Sequence, residues 1–182
     1  MKAAAPLFTW DSGLDGSRIA GLLRRLPLFE GKPIHLERCA RLRDRRGPVH
    51  GGAFLRRRKI AVACSERELR RIIAHELHHF VWLRLGNCRR RSYEELLGRE
   101  LDSRARGELG WSAEWRKREL SPADREARTR RWREYCCESF CDTAAWLYAG
   151  LKGHDEFTLA RRFREGRRAW FAEIANGAPL SI

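Results

Sequence analysis

The sequence predicts an α+β fold: a small antiparallel or mixed sheet of about three strands packed on one helix, then a mainly helical C-terminal half. Two observations predict it. Between residues 33 and 64, β-branched and apolar residues come in short runs broken by glycines (PIHLER, then DRRGPVHGG, then AFLRRRKIAVAC), as short strands require. Beyond residue 65, apolar residues recur at three- and four-residue spacing behind serines, the mark of capped amphipathic helices. With 182 residues, 43% of them hydrophobic, the chain can build one core but hardly two, so residues 1–182 read as one domain.

In order, SRIAGLLRRL places Ile19, Leu22, Leu23 and Leu26 on one face of a first helix behind Ser17. Two or three strands follow. SERE then offers a reciprocal capping box, Ser65 with Glu68, opening a helix to about Leu85 that Gly86 ends in the left-handed conformation. SYEE, Ser92 with Glu95, repeats the start signal for a helix through Leu97 and Leu101. GWSAEWRK reads as a turn or short helix anchored by tryptophan. Ser121 and Pro122 open a long helical segment to about Gly150, since proline suits the first helical position. A last helix spans about Asp155 to Ile174, closed by Asn176-Gly177.

The net charge of +14 raises nucleic acid as a partner. Only five of the 38 basic residues are lysine, however, and the arginines are scattered over nearly every segment. Contact with nucleic acid is therefore expected to be weak, nonspecific and steeply salt-dependent. No stretch approaches the ~20 apolar residues of a membrane span, and the N-terminus lacks the apolar run of a secretory signal, so no membrane partner and a cytoplasmic location are expected. Six cysteines, Cys39, Cys64, Cys88, Cys136, Cys137 and Cys141, show no CxxC spacing and read as reduced, mostly buried thiols. Trp82, Trp132, Trp146 and Trp170 read as core.

The stretch IIAHELHHFVWLRLG holds three of the six histidines within five positions. On a helix His75 and His79, four apart, lie within about 40° of each other and can converge on one ion. Glu76 falls beside them on the side of Ile72, Ile73 and Phe80, whereas His78 points away and is expected to be exposed or bonded to a neighbouring helix. Two neutral imidazoles bind Zn²⁺ without cancelling its charge, so that bound water becomes acidic near neutral pH. Glu76 then serves as general base and, later, general acid.

A catalytic zinc needs a third protein ligand. REYCCESFCDTAAWLYAG places Glu138 and Asp142 four apart in an apolar stretch, where carboxylates are rarely left without a partner. Glu138 is the candidate ligand, with Glu134 one turn earlier as its rival. Asp142 is the candidate acceptor for the other ring N–H of a ligating histidine, His75 first, or forms a buried salt bridge with an arginine. For the group that stabilises the oxyanion the candidates are Tyr135, Tyr148, His154 and His50, led by Tyr135, three positions before Glu138.

HExxH at 75–79 followed by ExxxD at 138–142 resembles the gluzincin metallopeptidases, the thermolysin-like clan, over about residues 60–145. ESFCDTA is also similar to the small ImmA/IrrE-type peptidases; SprT-type proteins share the HELxH start but use a downstream histidine that this chain lacks. The resemblance implies a zinc metallopeptidase, acting as an endopeptidase on a peptide or protein held extended along strand 59–64. Two other functions share these residues: a proteolytically idle zinc-containing module that binds DNA or a protein regulator, and a hydrolase of a non-peptide amide.

Overall fold

The computed structural model describes residues 6–182; the opening MKAAA, read above for a leader, lies outside them. The elements run β1 (Phe8–Trp10), α1 (Gly16–Leu23), β2 (Phe29–Glu30), β3 (Ile34–Arg38), β4 (Gly51–Phe54), β5 (Lys59–Val62), α2 (Leu69–Arg84), α3 (Asn87–Asp102), α4 (Trp111–Arg118), α5 (Pro122–Glu126), α6 (Arg130–Tyr148), α7 (Arg161–Ala175) and β6 (Leu180–Ser181). The class is α+β with a helical C-terminal half. The sheet is mixed and four-stranded, in the order β1-β3-β5-β4, with only β4 antiparallel. Within this sheet the strand not foreseen is β1, too short to carry a period-two signal, and the two-residue β2 and β6 were not foreseen either. A separate pair, β2 with β6, ties the C-terminus back to the first third of the chain.

Strand β5 is interior, paired with β3 on one side and β4 on the other, and its Ile60, Ala61 and Val62 are buried, as in a strand covered on both faces. It therefore has no free edge for a peptide. The free edge beside α2 is β4. Ala63 N–H bonds His50 C=O, which fixes the pairing so that the backbone groups of Gly51 and Ala53 point away from β5.

Several helix starts differ from the sequence reading. Asp15, not Ser17, caps α1, accepting from the amides of Ser17 and Arg18. No Ser65 box forms at α2, because Glu68 is drawn into bonds with Arg71 and His154. Helix α3 starts at Asn87 behind an extended Gly86, leaving Ser92 inside it. Ser121 and Pro122 do open a helix, with Asp124 completing a capping box, but the segment to Gly150 is not one helix: Arg128 at φ 45° separates α5 from α6. Asp124 accepts from Thr129 Oγ1, and Arg128 pairs with the buried Glu94, which together hold this break. Helix α7 begins at Arg161, since 155–160 instead forms a loop whose Phe157 and Leu159 pack on Leu109 and Ala105. No helix among the described residues is long and apolar enough to cross a membrane.

Helix α2 is the axis of the main core, with eleven of its sixteen residues buried. One side meets the sheet and the other meets α6. This double cover corrects the expectation for His78, which is fully buried. Its ring stacks on Tyr148 and lies against Phe29, Phe140 and Phe171. Nδ1–H donates to Ala74 C=O at 2.7 Å, while Nε2 has no partner. Burial holds this histidine down to about 4, against 6.5 in the unfolded chain. The folded state thus resists a proton that the unfolded state accepts, so stability is lost as pH falls from 6.5 towards 4. At about 1.4 kcal/mol per pKa unit the loss is roughly 3 kcal/mol. His78→Leu should flatten this acid limb in denaturant titrations of chelator-treated protein at pH 7.5 and 4.5; identical limbs in the two proteins would refute the assignment.

Candidate metal centre

The centre is built where α2 crosses α6. His75 Nε2 lies 3.3 Å from Glu138 Oε2, and His79 Nε2 lies 4.0 Å from the same oxygen. Glu76 Oε2 stands 3.9 Å from His79 Nε2. Each residue is placed by its helix: His75 and His79 share a face of α2, while Glu138 and Asp142 share a face of α6.

Asp142 receives the other nitrogen of His75, whose Nδ1–H donates to Oδ1 at 2.8 Å. Its second oxygen accepts the backbone N–H of Ala113 at 2.9 Å. Ala113 lies in the first turn of α4, whose N-cap is Gly110. A Cβ on Gly110 would sit 2.2 Å from Asp142 Cγ, so Asp142 fills, from another helix, the space where a capping side chain belongs. On the opposite flank, Arg116 of α4 meets Glu138 Oε1 at 3.1 Å.

The electrostatics favour positive charge between the histidines. Burial opposes protonation of His75, yet Asp142 and Glu138 outweigh it and lift the ring well above its ordinary value. His79, likewise buried, is lifted to about 9 with Cys137, Glu138 and Glu76 as the causes. Glu138 overcomes its burial through the two histidines and Arg116 and drops to about 2. Burial raises Glu76 despite the nearby histidines. Two imidazoles, an ionised carboxylate and a carboxylate beside them form a donor set that suits a divalent cation such as zinc. A thiol, Cys141, offers a second third donor: its sulfur and a nitrogen of each of His75 and His79 lie within 4.8 Å of one another. Glu138 has the better claim, because the Nε2 atoms face it while the Nδ1 atoms are engaged elsewhere.

Glu76 also borders the sheet edge. A Cβ on Gly51 would meet Ile72 Cγ2 at 2.4 Å and Glu76 Oε1 at 2.9 Å, so glycine lets β4 run close along α2 and against Glu76.

Other candidates lie elsewhere. Tyr135 is fully buried and donates to Glu108 Oε1 at 2.6 Å; it faces a polar core network rather than the centre, which corrects its assignment as oxyanion group. Tyr148 stacks on His78, His154 bonds Glu68, and His50 lines a separate cleft with Arg38, Cys39 and Cys64. Glu134 pairs with Arg130 on the exposed side of α6. Trp132 and Trp170 are buried, and Trp82 and Trp146 pack partly buried against apolar clusters. All six cysteines are free, but only Cys136 and Cys141 are buried and Cys88 is exposed. The sequence reading missed Arg116, Gly110 and the sulfur of Cys137; only Cys137, adjacent to Glu138, carried any local signal. No family model, curated protein or solved structure matches the chain.

Proposed function

We propose that this chain is a zinc-dependent hydrolase of peptide bonds, an endopeptidase of the reducing cytoplasm. The observation that carries the reading is the convergence of His75 Nε2, His79 Nε2 and Glu138 Oε2, with Glu76 alongside. Zinc held by His75, His79 and Glu138 would supply Lewis acidity, acidifying water and polarising a carbonyl. The remaining work falls to the protein. Glu76, made more basic by burial, takes the proton of the attacking water and returns it to the departing amine. Asp142 fixes the tautomer of His75 so that Nε2 presents its lone pair. Arg116 holds the second oxygen of Glu138. The free edge of β4 is suited to an extended peptide, pairing backbone to backbone next to Glu76. Six free thiols, one of them exposed, favour a reducing compartment.

Purified protein should carry about one zinc per chain, and should cut unfolded protein substrates in a manner abolished by chelation and restored by zinc. His75→Ala should release the metal. Glu138→Gln should lower zinc occupancy and activity together, whereas Glu134→Gln, altering an exposed pair with Arg130, should leave both near wild type. Elemental analysis decides between them: zinc lost from the Glu134 variant and kept by the Glu138 variant would overturn the ligand set.

A further inference from the structure

Helix α6 supplies an outer partner to each metal-facing histidine, and the two partners differ. His75 has the carboxylate of Asp142 behind it. His79 turns Nδ1 to the sulfur of Cys137 at 3.5 Å, while its Nε2 faces Glu76 and Glu138. Cys141, a free thiol one turn further along the helix, is fully buried.

We infer that Cys137 is the positioning residue of His79: its sulfur accepts the Nδ1 proton, fixes the tautomer and turns Nε2 towards His75 and Glu138. The inference rests on the metal site proposed above. Glu76, Glu138 and Asp142 already bring three carboxylates to the centre, and a sulfur behind His79 gives direction to the ring without a fourth one. The hold on zinc then depends on a free thiol that does not itself touch the ion.

The test compares zinc affinity, by competition with a chromophoric chelator, in wild type, Cys137→Ala, Cys137→Ser, Cys141→Ala and His75→Ala. Thermal melting of the metal-free proteins confirms folding. Cys137→Ala should weaken zinc about 10–100-fold, the range for loss of an outer partner, and Cys137→Ser, which keeps an acceptor, should recover most of it. Cys141→Ala, which leaves the contact between Cys137 and His79 in place, should stay near wild type. Cys137→Val, close in size but without lone pairs, replaces the alanine variant if that one proves unstable. Substituting cobalt provides a signature that a packing role would not move: the visible bands should shift in Cys137→Ala and return in Cys137→Ser, with no sulfur-to-metal charge-transfer band in wild type. Such a band, lost on changing Cys137 or Cys141 to serine, would put sulfur on the metal and overturn the inference. Wild-type affinity in Cys137→Ala alongside metal loss in His75→Ala would overturn the positioning role alone; zinc retained by His75→Ala would overturn the metal site and this inference with it.

Discussion

Replacing Glu76 by glutamine should leave zinc and fold in place and slow peptide hydrolysis by about 10²–10⁴-fold, the usual cost of losing a general base. Glutamine keeps the size and shape of the side chain that lies against Gly51, so the packing of α2 on β4 is undisturbed. It removes the basic oxygen and nothing that binds the ion, since Glu138 is the carboxylate towards which both Nε2 atoms turn. Stability should be equal or slightly higher, because a buried group that resists ionisation is exchanged for a neutral one. Steady-state kinetics and zinc analysis on the same preparation check both halves. Zinc lost in step with activity would make Glu76 a ligand and end its role as base.

The largest stability effect is expected from Arg167→Met. Arg167 is fully buried on α7. Its guanidinium bonds Glu100 at 2.7 Å and Glu108 at 2.7 Å, and reaches Thr143. Glu108 also accepts from Tyr135 and pairs with Lys117. One arginine therefore neutralises carboxylates from α3 and from the loop before α4, and ties both to α6. Its removal strands two buried anions with Lys117 as the remaining cation, at a cost of about 3–5 kcal/mol. For a chain of this size that lowers the melting temperature by on the order of 10 °C. Tyr135→Phe removes one bond to a charged acceptor and should cost about 1.5–3 kcal/mol. Its activity per folded molecule should be unchanged, in keeping with a place outside the centre. Calorimetry of the two variants orders these effects; equal stability of Arg167→Met and wild type would show that the network contributes nothing net.

These two sites also show what the sequence could and could not convey. HExxH and ExxxD are local patterns whose meaning follows from helical geometry, so His75, His79, Glu138 and Asp142 were readable once two helices were recognised. Their caps were less so: Ser65 and Ser92 have the right neighbours, but long-range partners and an earlier helix start displaced them. The position of His78 failed because a hydrophobic wheel assumes one wet face, and α2 has none at that point. Tyr135 failed for a different reason. Its hydroxyl follows Glu108, and in a chain with 38 basic and 24 acidic residues nothing local separates the few buried charges from the solvated majority. The free edge of the sheet was misplaced by one strand because Lys59–Val62 has the apolar content of a strand, whereas GGAF, which holds that edge, looks like a loop.

Gly110 carries a consequence for how this protein tolerates change. Its backbone is extended, at φ −176°, so any amino acid could adopt its conformation, and neither a metal ligand nor a substrate group belongs to it. Even so, the smallest possible addition, one methyl group, would occupy the place of the Asp142 carboxylate. Alanine there should push Asp142 off both His75 and the Ala113 amide. In a saturation scan scored for activity, position 110 should accept glycine alone, as sharply as the histidines do. In a scan scored for folded protein it should look permissive by comparison, and the gap between the two profiles would mark it as part of the centre.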